Sequence, residues 1–306
     1  MVDVVIPVYK PGDDLLRLLR KLDEQSVKPK NIILINTEEQ FFDTEKYMFL
    51  PNVQVRHISK KEFDHGGTRH MGMELSDAEY VLFMTMDAIP VDDKLIERLL
   101  HGFDSVGPKG EIPAVCYGRQ LSDGKCRLQE QNLRLSNYPE HSMIKTKADV
   151  PAMGIKAYFC SDVCAMYDRK IYYDNGGFEK KTIFNEDMIY AAKAINNNYA
   201  VVYCADAGVW HAHDFTNKQQ LRRSFDMGVS QAEHPEIFEN VSSEQAGVKY
   251  VISTMKFLLK KGHWYEVPHL IISCMYRYVG YRNGRRYKKL SRRKILRMTS
   301  NPDYWI

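Results

Sequence analysis

The chain has 306 residues, 44% of them apolar, and a formal net charge of +4 from 43 Lys and Arg against 39 Asp and Glu. This size fits one large α/β domain with appendages or two small domains. No stretch of 18 uninterrupted apolar residues is present, which argues against a transmembrane helix, and Met1 leads into an apolar strand without a basic leader, so no signal peptide is predicted. The six cysteines lack CxxC and zinc spacing and are predicted to be packed, reduced cytosolic thiols.

Strand and helix patterns alternate over the first 105 residues. Apolar runs predict strands at residues 2–8, 31–36, 53–58 and 78–85. Helical spacing and helix-start signals predict helices at residues 11–25, 66–75 and 92–103. This alternation predicts an α/β fold with a parallel sheet wound in the Rossmann manner.

Polar residues follow three of the predicted strands. Asn36, Asp64 and Asp87 come after the second, third and fourth strands. Because ligands in such sheets bind beyond the carboxyl ends of the strands, we expect all three to face one crevice. The alternation weakens afterwards: strands are predicted at residues 112–117, 157–166, 199–204 and 208–211, some antiparallel, and a mostly helical region begins near residue 215.

A Gly-Gly turn precedes a carboxylate pair near the middle of the chain. Gly176-Gly177-Phe178 is followed by Glu186-Asp187, which opens an apolar-patterned helix over residues 188–195. Carboxylates at this position lie near the positive end of the helix. Taken alone, such a pair is expected to be a helix cap.

Three features taken in order resemble a known family. A first strand ending Ile6-Pro7-Val8-Tyr9, a strand ending Met86-Asp87-Ala88, and the Gly-Gly-Phe turn before the acidic pair are similar to glycosyltransferase family 2. Its members are inverting, nucleotide-sugar-dependent enzymes with the GT-A fold. The resemblance implies a Rossmann-like mixed sheet flanked by helices, followed here by a helical, basic C-terminal region.

The resemblance also implies roles for the acidic residues. Asp187, with Glu186, would be the general base that takes the proton of the acceptor hydroxyl. Asp87 would hold a divalent metal on the donor diphosphate. Thr85 replaces the first carboxylate of the family's Asp-x-Asp motif, but Mg²⁺ or Mn²⁺ often needs only one or two protein carboxylates because phosphate and water supply the other ligands.

The segment Asp64-His65-Gly66-Gly67-Thr68-Arg69-His70 is the most distinctive in the chain. Its glycines allow backbone to approach phosphate at a helix start, and Arg69 is able to pair with a diphosphate; the alternative is a glycine-opened turn before a helix. The segment resembles bacterial rhamnosyltransferases within family 2, which implies dTDP-L-rhamnose as the donor. The expected donor-binding residues are Pro7, Val8, Tyr9, Asn36, Asp64, Gly67, Arg69, Met86 and Asp87.

Two histidines follow the last predicted strand, in Trp210-His211-Ala212-His213-Asp214. An H-x-H pair is able to ligate a metal, although two histidines are more often ordinary polar filling. In the family, a histidine in this region completes the metal shell or contacts the donor phosphates. We therefore name His211 and His213 as candidate metal ligands beside Asp87.

The C-terminal region is strongly basic. Residues 267–302 contain ten Lys or Arg and no Asp or Glu, interleaved with tyrosines and aliphatic residues. A solvated helix, a nucleic-acid surface and an anionic membrane surface are the three interpretations. The aromatic and aliphatic anchors favour the membrane, and nucleic acid does not fit a nucleotide-sugar site.

Together these features predict a GT-A catalytic domain over residues 1–215, with a nucleotide-sugar-binding half at about 1–105 and an acceptor-side half at about 106–215. A helical region with a basic tail follows over residues 216–306. The predicted reaction moves L-rhamnose from dTDP-L-rhamnose onto a hydroxyl of a growing cell-surface polysaccharide or lipid-linked glycan. The predicted location is the cytoplasmic face of the cell membrane, and self-association is left open.

Three alternatives remain at the level of sequence. The first is a family 2 transferase that uses another nucleotide sugar. The second is a sugar nucleotidyltransferase, which would carry a Gly-rich loop after its first strand, where residues 7–11 stand here instead. The third is a non-catalytic carbohydrate-binding protein, which would not need both Asp87 and Asp187.

Overall fold

The structure is a computed structural model that describes residues 1–239 and 244–305. The chain forms two compact units. Unit 1 comprises residues Met1–Leu121, Tyr138–Lys181 and Glu186–His211. Unit 2 comprises residues Ser122–Asn137, Thr182–Asn185 and Ala212–Ile306. Residues 240–243 and 306, which the predicted helical region includes, lie outside the described residues.

The described strands are β1 (Val2–Tyr9), β2 (Ile32–Thr37), β3 (Val53–Ile58), β4 (Tyr80–Met84), β5 (Ile89–Pro90), β6 (Pro113–Leu121), β7 (Met143–Lys145), β8 (Cys164–Asp168) and β9 (Ala200–Trp210). The described α-helices are α1 (Asp13–Asp23), α2 (Thr44–Tyr47), α3 (His65–Leu75), α4 (Leu95–Gly102), α5 (Leu128–Asn137), α6 (Val150–Met153), α7 (Arg169–Asp174), α8 (Glu186–Asn196), α9 (Asn217–Glu233), α10 (Pro235–Phe238), α11 (Glu244–Lys260), α12 (Val267–Gly284) and α13 (Arg292–Met298). Short 3₁₀ turns join several of them.

Unit 1 is built on one mixed sheet with the strand order β3-β2-β1-β4-β8-β6-β9-β5, and β7 pairs with β9. The first four strands are parallel, as the alternating pattern predicts. Strand β8 runs antiparallel to β4 and β6, whereas β6 and β9 are parallel. Every residue of β2 is buried, as expected for a parallel strand covered on both faces. The predicted Rossmann-like mixed sheet is therefore confirmed.

Two predicted strand assignments are wrong. The apolar run at 157–166 is not one strand: its beginning lies in a 3₁₀ helix, Gly154–Tyr158, and β8 starts only at Cys164. The strands predicted at 199–204 and 208–211 are one strand, β9, in which residues 205–207 are the extra residues of a bulge. The bulge is visible in the pairing, since Gly118 faces Cys204 and Arg119 faces Gly208.

Unit 2 is helical, and α9 packs closely against α12. Backbone approaches backbone at glycines: a Cβ on Gly280 would overlap the carbonyl oxygen of Leu221, and one on Gly284 would overlap that of Phe225. A small core forms around Phe225, Val229, Ile295 and Met298. Helix α5 lies in this unit, where its Glu130 forms a 2.6 Å ion pair with Arg277 of α12.

None of the helices among the described residues is long and apolar enough to cross a membrane.

Candidate active site

The predicted donor-binding residues of the first strands lie at the carboxyl ends of the parallel strands. Val8 of β1 pairs with Asn36 of β2, which in turn pairs with His57 of β3. Asn36 is fully buried, with its side-chain nitrogen 3.0 Å from Nδ1 of His57. Tyr9 is exposed, and its ring meets that of Phe41 edge-on at 6.0 Å. These residues thus lie at the edge of the sheet where the strand pattern predicts the crevice.

The distinctive glycine segment forms the first turn of α3. Asp64 is its N-cap residue, and its Oδ1 accepts a hydrogen bond of 2.7 Å from the backbone N–H of Gly67. A Cβ on Gly67 would overlap the Asp64 carboxylate and lie 2.9 Å from the carbonyl oxygen of Lys180. Glycine is therefore required at this position by close packing.

Arg69 joins the glycine segment to the acidic pair. It is 6% exposed, and its Nη1 lies 2.9 Å from Oε1 of Glu186, at the start of α8. Its Nε lies 3.1 Å from Oδ2 of Asp162, an ion pair without the alignment of a hydrogen bond. Nη1 also donates to the carbonyl oxygen of His65 at 3.1 Å. The guanidinium is thus held by carboxylates, and the predicted contact of Arg69 with the donor stays a prediction.

The acidic pair opens α8 after a constrained turn. Gly176 and Gly177 have positive φ angles of 77° and 63°, and Asn185, directly before the pair, has a φ of 66° that is unusual for a non-glycine residue. Glu186 is buried in its ion pair, whereas Asp187 is half-buried. A backbone conformation of this kind is typical of functional sites, where the surrounding structure holds it in place.

The surroundings of Asp187 make it a stronger base than a free aspartate. Its Oδ2 accepts a 3.2 Å hydrogen bond from the backbone N–H of Asp162, and its Oδ1 accepts one of 2.7 Å from Met188. Burial, followed by the charges of Glu186 and Asp162, raises the pKa of Asp187 well above its ordinary value. A carboxylate with a raised pKa suits the general-base role predicted for this residue.

Asp87 and His211 are brought together by a strand pairing. Ile89 of β5 pairs with Trp210 of β9, so that Oδ1 of Asp87 lies 3.6 Å from Nε2 of His211. Nδ1 of His211 lies 2.9 Å from Oε1 of Gln120, which leaves Nε2 directed toward Asp87. A carboxylate oxygen and an imidazole nitrogen that converge in this way are able to share a divalent cation, and Gln120 orients the imidazole through its Nδ1.

His213, the third predicted ligand, is two residues beyond His211 and belongs to unit 2. Its role as a ligand stays a prediction.

A polar path runs within unit 1 from the histidine to the base. The Gln120 side chain, which contacts His211, donates a hydrogen bond of 2.9 Å from its Nε2 to Oγ of Ser161. The next residue, Asp162, donates its backbone N–H to Asp187. The candidate metal ligand and the candidate base are therefore held by neighbouring residues of one segment.

Asp162 and Gln120 are not among the residues that the sequence predicts for the site. Gln120 lies inside a strand, and Asp162 lies inside a run that is predicted, wrongly, to be a strand. The one available signal was a carboxylate within an otherwise apolar run at residues 157–166. Such a residue requires a partner when buried, and Arg69 is that partner.

Comparison with known proteins gives a family match and two full-length relatives. The family model described as "Glycosyl transferase family 2" matches residues 3–176. The chain is 32% identical to O-antigen chain rhamnosyltransferase RfbN of Salmonella typhimurium, over 99% of this chain and 96% of that protein. It is 31% identical to O-antigen chain rhamnosyltransferase WbaN of Salmonella anatum, over 99% and 95% respectively.

Solved structures share the fold. The mannosyltransferase PcManGT from Pyrobaculum calidifontis, solved with GDP-Man and Mn²⁺, superposes with a TM-score of 0.62 at 12% identity, covering 94% of this chain and 88% of that one. S. aureus TarS 1–349, solved with UDP-GlcNAc, gives a TM-score of 0.53 at 14% identity, covering 94% and 91%. The expected GT-A fold is thus confirmed.

Proposed function

The chain belongs to glycosyl transferase family 2, and from that membership we propose that it is a rhamnosyltransferase that extends a bacterial cell-surface polysaccharide. The protein is a glycosyltransferase, which removes the nucleotidyltransferase and the non-catalytic alternatives. The choice of rhamnose is supported by two O-antigen chain rhamnosyltransferases that match it over nearly the full length of both chains. The donor we propose is dTDP-L-rhamnose, and the acceptor is a hydroxyl of a growing or lipid-linked glycan.

One observation carries the proposal at the site. The segment that resembles rhamnosyltransferases and the acidic pair that carries the expected base are in direct contact, through the ion pair of Arg69 with Glu186. The two segments are more than a hundred residues apart in the chain. Their contact supports a single active site formed by both.

The proposed reaction is a single displacement that inverts the anomeric centre. Asp187 takes the proton of the acceptor hydroxyl while the hydroxyl oxygen attacks the anomeric carbon and the bond to the nucleoside diphosphate breaks. The raised pKa of Asp187 places its proton affinity closer to that needed near neutral pH. The residues proposed to contact the donor lie at the ends of β1 and β2, at the start of α3 and after β4: Pro7, Val8, Tyr9, Asn36, Asp64, Gly67, Arg69, Met86 and Asp87.

A divalent cation, Mg²⁺ or Mn²⁺, is proposed to be held by Asp87, His211 and His213. Asp87 and His211 supply an oxygen and a nitrogen that converge, and a mannosyltransferase of the same fold was solved with Mn²⁺. When bound, the cation offsets the charge of the leaving diphosphate. Gln120 accepts from the Nδ1–H of His211 and so keeps Nε2 available as a ligand.

We also propose a peripheral position on the inner face of the cell membrane. The structure divides the predicted basic tail into two parts. Ile295 and Met298 pack in the core of unit 2, whereas a group of residues on α12 is exposed: Ile271, Ile272, Met275, Tyr276, Tyr278 and Val279. Trp264, which precedes the tail, is 70% exposed. Exposed apolar and aromatic side chains next to basic residues suit an anionic membrane interface.

The donor is tested by incubating purified protein with a lipid-linked glycan acceptor and a panel of nucleotide sugars. The measured quantity is released nucleoside diphosphate. We expect turnover to be fastest with dTDP-L-rhamnose and slow with UDP-GlcNAc and GDP-mannose. Faster turnover with either of the other sugars would leave the enzyme a glycosyltransferase and overturn rhamnose as its substrate.

A further inference from the structure

We propose that Asp162 is a positioning residue for the catalytic base: anchored by Tyr167 and Arg69, it presents its backbone N–H to Asp187. The inference rests on the proposed role of Asp187 and adds a residue outside both family motifs. The anchoring is specific. The Tyr167 hydroxyl donates 2.5 Å to Oδ1 of Asp162, and Oδ2 lies 3.1 Å from Nε of Arg69.

The position of Asp162 determines what its backbone does. Asp162 lies just before β8, and Tyr167 lies within that strand. The rings of Phe83, from the neighbouring strand β4, and of Phe178 pack against the ring of Tyr167. Because Tyr167 is fully buried and held by these rings, its hydroxyl is a fixed anchor for the Asp162 side chain. The backbone N–H of Asp162 is fixed with it and points at Oδ2 of Asp187, 3.2 Å away. One oxygen of the proposed base is thereby oriented by the backbone of a residue that is only 2% exposed.

The charges around this anchor are unequal. Three carboxylates, Asp162, Glu186 and Asp187, surround the single guanidinium of Arg69. His65 adds a second positive group only when protonated, at 3.8 Å from Glu186. Three anions and one cation in a largely buried cluster cannot all ionise without cost, so the carboxyl groups compete for ionisation.

Competition of this kind favours a proton on the base. Burial raises the pKa of Asp162 to about 7, although the charge of Arg69 lowers it; the charge of Glu186 raises the pKa by less than Arg69 lowers it. The charge of Asp162 in turn contributes to the raised pKa of Asp187. The other groups facing the cluster are the Tyr167 hydroxyl and the buried Cys160 thiol, whose pKa values are raised by burial. Asp162 therefore both orients Asp187 and keeps it basic.

The test is the pH profile of kcat/KM for Asp162→Asn, with dTDP-L-rhamnose as donor. Removing one negative charge beside Asp187 should move the acid limb of the profile to lower pH by about one unit. The plateau rate should fall, because a base with a lower pKa accepts the proton less readily, and donor KM should stay within a few-fold. The matched control is Asp206→Asn, which removes an exposed carboxylate from β9 in the same unit and should leave the profile unchanged.

A merely structural role predicts a different result. An unmoved acid limb in Asp162→Asn, at any plateau rate, would overturn the inference. If Asp162→Asn does not fold, Asp162→Glu provides the second test: it keeps the charge and displaces the anchored carboxylate by one methylene, so the plateau should fall while the acid limb stays in place. A wild-type plateau in Asp162→Glu would overturn the inference as well.

A separate variant tests whether Asp187 is the base at all. Asp187→Asn with near wild-type turnover would remove the base itself, whatever Asp162 does. Inactive Asp187→Asn together with a wild-type pH profile in Asp162→Asn would retain the base and reject only the positioning role.

Discussion

The hydrogen bonds and charges around Asp187 fix what its replacement should do. Asp187→Asn keeps the shape of the side chain and removes its ability to take a proton. We expect turnover to fall about 10²- to 10⁴-fold, the usual cost of losing a general base, while donor binding stays nearly intact. Calorimetry with the donor and a turnover assay measure the two quantities. Activity within a few-fold of wild type would move the role to Glu186.

The pH dependence of the unmodified enzyme follows from the same environment. A raised pKa means that the ionised, catalytically competent form of Asp187 is populated only at higher pH than for a free aspartate. Turnover should therefore rise with pH through the raised pKa of Asp187 and be low where an ordinary aspartate is already ionised. A flat profile from pH 5 upward would contradict a base whose pKa is raised.

Asp87 is the chief carboxylate expected on the metal, because Thr85 stands at the other motif position. Asp87→Ala should raise the Mn²⁺ concentration needed for half-maximal activity and weaken donor binding, since a cation held by Asp87 would offset the charge of the donor diphosphate. The measurement is an Mn²⁺ titration of both activity and donor affinity, with Asp206→Ala as the exposed-carboxylate control. Identical metal dependence in the variant would exclude Asp87 as a ligand, and full wild-type activity in excess EDTA would exclude the metal.

Among the elements, the contact of α9 with α12 is the most sensitive to added volume. A methyl group at Gly280 would overlap the Leu221 carbonyl, so Gly280→Ala should destabilise unit 2 by about 1–3 kcal/mol despite the better helix propensity of alanine. Gly247→Ala is the matched control, because nothing lies within 4 Å of its Cβ and alanine should be neutral or stabilising there. Urea midpoints compare the variants. Equal urea midpoints for Gly280→Ala and Gly247→Ala would contradict the close backbone contact at Gly280.

Some of the helices and strands are predictable from the sequence alone, and others are not. Strands β1 to β4 and helix α3 are predictable because apolar runs and glycine signals are local. The 157–166 run is not, because a buried 3₁₀ turn is as apolar as a strand and periodicity does not separate the two. The proposed base and the proposed metal carboxylate were predicted through motifs, but Asp162 has no motif: its proposed role depends on the fold, which brings Arg69 of α3 to it.

For the whole molecule, the concentration of positive charge in residues 267–302 predicts salt-dependent membrane binding. Each Lys or Arg near an anionic surface contributes about 1 kcal/mol, which fades beyond a Debye length. Flotation with phosphatidylglycerol-containing vesicles should show strong binding at low salt and weak binding at high salt, with neutral vesicles binding least. Lys288 and Lys289 are exposed and are the charges to reverse.

The variants separate the charged and apolar contributions. Reversing Lys288 and Lys289 to Glu should weaken low-salt binding at least about 30-fold, whereas Trp264→Ala should mainly reduce the binding that survives high salt. Equal and salt-independent binding to both vesicle types, or none to either, would assign the exposed apolar residues of α12 to self-association or to packing.

The ion pair of Arg69 with Glu186 and Asp162 has a consequence for enzyme engineering. Grafting the Asp64–His70 segment from a relative, in order to change the sugar that is transferred, would also replace Arg69, the cation that pairs with Asp162 and Glu186. A graft without a matching arginine would leave Asp162 and Glu186 as buried charges without a counterion, and activity would be lost for reasons unrelated to sugar choice. A graft that keeps these two carboxylates paired must therefore retain residues 69, 162 and 186 together.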